Sequence, residues 1–205
     1  MSRFDASHDY QHVLRVLSLA RHIEAKERAL HPEIRYDADV VTLASLLHDV
    51  GDRKYLQDNQ AAGGMVEGML LKQGAPPELA AKVQTIVTHV SYSCEVADPM
   101  KVREVISKHP ELAAVQDADR LDALGAVGIG RAFTFGATKR AEGGMARTME
   151  HFTEKLEKLE GMMKTETGRE MARLRTERLR MFRSWWEEET LVGRTVDRAL
   201  THKSD

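Results

Sequence analysis

The chain has 205 residues with 30 Lys+Arg against 32 Asp+Glu, and its formal net charge is −2. This length favours one domain, and the near-balanced charge argues against a protein that mainly coats nucleic acid. The one cysteine, Cys94, excludes an intrachain disulfide and a four-thiolate metal site. The first residues lack the apolar run of a signal peptide and no apolar stretch approaches membrane-spanning length, so we expect a cytoplasmic protein, or a nuclear one in a eukaryote.

Apolar residues recur at helical spacing through the first half of the chain. Ser7 is suited to cap the first helix, and Gly51 is suited to end the second, which is apolar nearly all round over Val40–Leu47. The predicted elements are, in chain order, helices over about 7–28, 37–51, 61–72 and 76–90, followed by a loop over 91–99.

The second half also has a helical pattern, and no strand with period-two alternation is predicted. One helix or a pair of helices is expected over about 110–133, and a glycine-rich segment over 134–145 is expected to be mobile. Two long helical stretches follow, over about 148–163 and 166–191. The sequence therefore predicts an all-α fold.

An adjacent imidazole and carboxylate, His48 and Asp49, follow the apolar run Val40–Leu47. Placing both groups at the end of a buried helix is costly unless something compensates them. A divalent cation would do so, because imidazole and carboxylate are both good metal ligands. The structural alternative is that His48 caps the helix and Asp49 pairs with an arginine.

Other candidate ligands lie far from this pair in the sequence. His12 is at the edge of the apolar stripe of the first helix. Three acids lie on one predicted helix downstream: Asp117, Asp119 and Asp122. A single-ion site would then consist of His12, the His48–Asp49 pair and one of these acids. Periodicity leaves the choice among them open, although Asp119 and Asp122 share a helix face that Asp117 does not.

These blocks resemble the HD-domain metal-dependent phosphohydrolases. The order is H…HD…D, with His12 in HVLRV, His48–Asp49 in LLHDVGD and Asp119 in ADRLDALG. The longer blocks HDYQHVLRV, LLHDVGDRKY and QDADRLDALGAVGIGRAF are together similar to a bacterial and fungal subgroup of small HD proteins, some of which are similar to nucleotide pyrophosphohydrolases. The resemblance covers residues 5–190 and implies a single all-helical HD domain. Its core would span residues 5–135, with a C-terminal helical extension over 146–192 packing on it.

Carried over residue by residue, the resemblance implies that one divalent ion is held by His12, His48, Asp49 and Asp119. It also implies that Asp52 orients the nucleophilic water, although Asp52 could instead pair with a neighbouring cation. Phosphate needs cations or N–H donors around it. The candidates for that role, each of which could also be an ordinary surface group, are His8, Lys54, His89, Arg15 and Arg131.

The ligand set suits Mn²⁺, Ni²⁺, Co²⁺, Fe²⁺, Zn²⁺ or Mg²⁺, and its two imidazoles argue against Mg²⁺ as the tightest binder. Such an ion would lower the pKa of bound water and stabilise charge on a phosphoryl group. The expected activity is therefore metal-dependent hydrolysis of a small phosphorylated substrate. On the resemblance, that substrate is a nucleotide, and cleavage between the α- and β-phosphates of a nucleoside triphosphate is favoured.

Three alternatives stay open at this point. The chain could be a nucleoside monophosphate phosphatase (a 5′-nucleotidase) or a non-catalytic module that senses nucleotides. A di-iron HD oxygenase would need further histidines, for which only His89 and His109 are available between the HD pair and Asp119. No membrane partner is expected, a homo-oligomer is compatible with the sequence, and the arginines of the last helix are expected to form a solvated face and not a nucleic-acid surface.

Overall fold

The computed structural model describes residues 9–50, 64–139 and 143–201, with backbone only at residue 139 and over 192–201. These residues form ten α-helices and one 3₁₀ helix, and no strand occurs among them, which confirms the all-α fold. The helices are α1 (Tyr10–Leu30), α2 (Ala38–Leu47), α3 (Met65–Lys72), α4 (Pro77–Thr88), α5 (Tyr92–Ala97), α6 (Pro99–Lys108), α7 (Glu111–Asp122), α8 (Gly125–Lys139), α9 (Gly144–Glu154), the 3₁₀ helix (Leu156–Met162) and α10 (Glu166–Thr201).

Side-chain caps place the first two helices differently from the prediction. Asp9 caps α1 by accepting a hydrogen bond from the backbone N–H of His12 at 2.9 Å, so the helix begins at Tyr10. The predicted cap, Ser7, lies outside the described residues. Asp37 caps α2, which ends at Leu47 with His48 as its C-cap. The second helix therefore stops before the predicted Gly51.

The stretch 91–99, predicted to be a loop, is helical. It contains α5 and the start of α6, because Ser91 and Asp98 each accept a hydrogen bond from a backbone N–H three residues on. Pro99 then stands at the first position of α6, where its missing N–H costs nothing. The glycine-rich segment over 134–145 contains the end of α8, which continues to residue 139, and the start of α9 at Gly144.

The core is built around α7, which packs against α1, α2, α4, α6, α8 and α10. Eleven of its residues are buried, from Glu111 to Ala118 and from Arg120 to Asp122. Asp119 is the one residue of α7 outside that set, so the central helix opens toward solvent at a carboxylate. Among the described residues, no helix is both long enough and apolar enough to cross a membrane.

Two buried carboxylates fix the start of the long C-terminal helix to the core. Asp117 accepts hydrogen bonds from the backbone N–H groups of Lys164 and Thr165 and from the Thr165 hydroxyl, at 2.7–3.1 Å. Glu27 on α1 accepts from the N–H and hydroxyl of Thr167, at 2.8 and 2.6 Å. Asp117 therefore supports the start of α10, on the side of α7 opposite Asp119.

We expect Asp117→Ala to lower the free energy of unfolding by about 2–3 kcal/mol, because buried N–H groups lose their acceptor. Burial raises the pKa of Asp117, which moderates the loss. Urea denaturation measures the change. The matched control is Asp98→Ala, an exposed cap with one acceptor bond, for which a loss of about 1 kcal/mol is expected. Divalent-metal affinity should be unchanged in Asp117→Ala; a large loss of it would contradict the structural role.

Candidate metal centre

Four polar side chains from three parts of the fold lie close together: the ligand atoms of His12, His48 and Asp49 are within 4.8 Å of one another, and Asp119 lies beside the two imidazoles. His12 comes from α1, His48 and Asp49 from the end of α2, and Asp119 from the exposed position of α7. The His12 and His48 Nε2 atoms are 3.2 Å apart. Asp49 Oδ2 lies 3.6 and 3.5 Å from these two nitrogens, and Asp119 Oδ1 lies 3.5 and 3.8 Å from them. The structure thus brings together all four of the predicted metal ligands.

The hydrogen bonds made by each Nδ1 atom determine whether the Nε2 atom of the same ring carries a proton. His48 Nδ1 lies 2.7 Å from the carbonyl oxygen of Ser45, which can only accept. His12 Nδ1 lies 2.7 Å from a carboxylate oxygen of Asp122. Both Nδ1 atoms therefore carry a proton, and in the neutral rings both Nε2 atoms present a lone pair. Two nitrogen lone pairs and two carboxylate oxygens then converge with no donor among them.

The surroundings favour the ionised form of Asp119. Burial raises the pKa of the Asp119 carboxyl, but nearby positive charge, including that of Arg131, outweighs it, so the pKa lies below its ordinary value. The imidazoles are almost fully buried, whereas the side chains of Asp49 and Asp119 are 18% and 28% exposed. A cation held here would be covered on its imidazole side and reachable from its carboxylate side.

Asp122 supports the site without facing its centre. Besides His12, it accepts hydrogen bonds from Arg15 Nε at 2.7 Å and from Arg15 Nη2 at 3.1 Å. Arg131 Nη1 lies 3.1 Å from the same carboxylate. Burial raises the pKa of Asp122, but the hydrogen bonds from His12 and Arg15 outweigh it and lower the pKa to about 2. An ionised carboxylate that fixes the tautomer of a metal-binding histidine is a common feature of metal sites.

Of the other predicted site residues, three have contacts of a different kind and three lie outside the described residues. Arg15 and Arg131, proposed from sequence as phosphate contacts, both turn toward Asp122. His89 is the C-cap of α4, where its Nδ1 lies 2.7 Å from the Thr85 carbonyl oxygen. The remaining three, His8, Asp52 and Lys54, lie outside the described residues.

Asp122 is the supporting residue whose role the sequence left undecided. Its spacing of three from Asp119 placed both acids on one helix face, but that spacing does not say which one reaches His12 Nδ1. These side chains fit a divalent ion, because two neutral imidazoles and two carboxylates are ligands that suit Mn²⁺, Fe²⁺, Co²⁺, Ni²⁺ and Zn²⁺. Metal binding by His12, His48, Asp49 and Asp119 remains a prediction.

Comparison with known proteins agrees with this geometry. Residues 9–124, which carry all four converging side chains, match the family described as the HD domain. The YpgQ protein of Bacillus subtilis is 38% identical over 172 residues, which is 82% of this chain and 77% of YpgQ. This relationship extends well beyond the short motifs.

Solved structures give the same result for the fold. A crystal structure of Bacillus subtilis YpgQ in complex with ADP superimposes with a TM-score of 0.71 at 34% identity, covering 89% of this chain and 90% of that one. An HD-superfamily hydrolase of Bacillus thuringiensis superimposes with a TM-score of 0.64 at 28% identity, covering 89% and 86%. With the family match spanning more than half of its length, the chain belongs to the HD-domain family.

Proposed function

We propose that this chain is a divalent-metal-dependent phosphohydrolase that acts on nucleotides. One observation carries the proposal: the Nε2 atoms of His12 and His48 are 3.2 Å apart, and one carboxylate oxygen each of Asp49 and Asp119 lies 3.5–3.8 Å from both, with no hydrogen-bond donor among the four atoms. Such an arrangement is destabilising unless a cation occupies it. The structural similarity to an HD-superfamily hydrolase of Bacillus thuringiensis also supports a hydrolase.

The residues of the chain divide the work as follows. His12, His48, Asp49 and Asp119 would hold the ion, and Asp122 keeps the His12 ring in the required tautomer and orientation. The ion, when bound, would supply a water of lowered pKa and offset charge on the phosphoryl group. Asp52 is proposed to orient the attacking water, and His8, Lys54 and His89 to contact phosphate. Arg15 and Arg131 act through Asp122 in this proposal.

The proposed substrate class is a nucleotide, and the favoured reaction cleaves a nucleoside triphosphate between its α- and β-phosphates. The ADP complex of YpgQ supports a nucleotide ligand for this related chain as well. The position of the cleaved bond rests on the resemblance of the sequence blocks to nucleotide pyrophosphohydrolases. Release of phosphate from a nucleoside monophosphate is the competing outcome.

A substrate panel tests the proposal. The full chain, loaded with Mn²⁺, is incubated with nucleoside mono-, di- and triphosphates, and the products are separated by ion-exchange chromatography. We expect a nucleoside triphosphate to give the monophosphate and pyrophosphate, and EDTA to stop the reaction. If phosphate is released from a nucleoside monophosphate instead, the activity is that of a 5′-nucleotidase and not of a pyrophosphohydrolase. Intact substrates with Mn²⁺, Co²⁺, Ni²⁺ and Zn²⁺ alike would refute the hydrolase and favour a nucleotide-sensing module.

A further inference from the structure

A second polar group of side chains lies beside Asp119 on α7. Residues three and four apart share a helix face, so Gln116 stands between Asp119 and Arg120 on the surface of this helix. Both Gln116 and Arg120 are buried, with 0% and 3% of their surface exposed. The metal-binding position of α7 is therefore the open end of a polar strip that continues into the protein.

Arg120 is held in place but is only partly hydrogen-bonded. Its Nη2 donates to Oε2 of Glu95 on α5. Among the described residues, its Nε and Nη1 atoms have no hydrogen-bond partner, and neither does the buried Oε1 of Gln116. The Gln116 amide donates to the His89 carbonyl oxygen at 2.7 Å, so the strip adjoins the end of α4.

The carboxylate that holds Arg120 is shared with a second cation. Lys164 Nζ lies 2.7 and 2.8 Å from the two Glu95 oxygens and donates also to the Met162 carbonyl. Glu95 thus faces two positive charges, from Arg120 and Lys164. Lys164 also lies beside the buried Asp117 carboxylate, which accepts its backbone N–H, and the charge of Arg120 reaches Asp119 at the metal centre.

Buried donors without an acceptor destabilise a protein, so the free N–H groups of Arg120 call for a water or a ligand that accepts from them. An anionic ligand would form the stronger bonds, because hydrogen bonds between two charged groups are charge-assisted. Arginine is suited to phosphate because its planar group presents several donors in fixed directions. The position next to a metal-binding carboxylate makes a phosphate of the substrate the fitting occupant.

We propose that Arg120 binds the phosphate chain of the substrate beside the metal centre, and so favours substrates with more than one phosphate group. Glu95 and Lys164 are positioning residues that hold the guanidinium. The inference rests on the proposed function for the location of the reacting phosphate. Its ligand chemistry is shared by nucleoside polyphosphates and inorganic polyphosphate.

Calorimetric titration of the metal-free full chain tests this contact without measuring turnover. EDTA-treated protein is titrated with tripolyphosphate, ATP and AMP. We expect tripolyphosphate and ATP to bind at least about tenfold more tightly than AMP, since a charge-assisted hydrogen bond is worth roughly that factor or more. Tripolyphosphate binding as tight as ATP binding would assign the site to the phosphate chain alone; tighter ATP binding would add a nucleoside contact and keep the role of Arg120.

Two variants and a control assign the contact to Arg120. Arg120→Gln should weaken tripolyphosphate and ATP by about 10-fold to 100-fold and leave AMP unchanged. Arg120→Lys keeps the charge opposite Glu95 but not the planar donors, so a loss of at least about threefold is expected in a protein that folds. The control is Arg103→Gln, an exposed position on α6, where no change is expected.

Unchanged tripolyphosphate affinity in a folded Arg120→Gln or Arg120→Lys protein would overturn the inference, and so would a wild-type protein that does not bind tripolyphosphate. The result separates from that of the substrate panel. A protein that binds the phosphate chain through Arg120 but hydrolyses nothing would refute the proposed function and keep this inference. A protein that hydrolyses nucleotides but whose ATP affinity is independent of Arg120 would support the proposed function and refute this inference.

Discussion

Asp119→Asn is expected to abolish tight divalent-metal binding and, with it, nucleotide hydrolysis. The amide fills the same volume but carries no negative charge, and Asp119 Oδ1 is one of the four atoms that face the predicted ion. Loss of a residue that only supports a ligand typically weakens metal affinity by about 10–100-fold, so loss of the ligand itself should exceed about 100-fold. Metal content after dialysis and the rate of Mn²⁺-dependent hydrolysis measure the two effects.

Two comparisons make this result specific. Asp39→Asn changes an exposed acid in the first turn of α2 and should leave both readouts at the wild-type level. Asp52→Asn should lower turnover sharply with the metal retained, as expected of a residue that orients water and does not bind the ion. An Asp119→Asn protein with full metal content and near-normal turnover would remove Asp119 from the site.

The helices were predictable where their apolar stripes are regular, as in α1, α2 and α4. They were missed where capping decides the structure: α6 begins because Asp98 accepts the N–H of Lys101 and Pro99 follows it, although the segment was predicted to be part of a loop. The sequence also did not reveal that α8 continues through the glycine-rich segment around Gly136. Tertiary packing stabilises such helices, and a local pattern does not contain it.

The four side chains that the sequence proposed as ligands lie close together in the structure, but the separate role of each acid on α7 could not be predicted. Spacing placed Asp119 and Asp122 on one face of α7, and the family resemblance singled out Asp119 as the ligand. The role of Asp122 depends on a contact with His12, 110 residues away in sequence. Arg15 and Arg131 were predicted to contact phosphate because they are cations near the motifs; the sequence did not reveal that both contact the buried Asp122 carboxylate.

Asp122→Asn is the change with the second-largest expected effect, and it should act on metal affinity and stability together. The amide keeps one acceptor oxygen but puts an NH2 donor in place of the other, so it cannot accept from His12, Arg15 and Arg131 together, and metal affinity and hydrolysis should each fall by about 10–100-fold. The same change leaves the guanidinium groups of Arg15 and Arg131 without their anion. Breaking a fully buried pair costs about 3–5 kcal/mol. Because Arg15 is 35% exposed and can turn to water, we expect about 2 kcal/mol here.

Urea denaturation of the metal-free protein isolates the stability effect, and competition with a chromogenic chelator gives the metal affinity. Asp122→Asn should lower both, whereas Asp117→Ala should lower stability alone and Asp119→Asn should show its main effect on the metal. This separation follows from what the three aspartates of α7 contact: Asp117 binds the start of α10, Asp119 lies beside the Nε2 atoms of the two histidines, and Asp122 binds Nδ1 of His12. Wild-type metal affinity in Asp122→Asn would show that the His12 ring is held without the carboxylate, and that Asp122 serves only to pair with the two arginines.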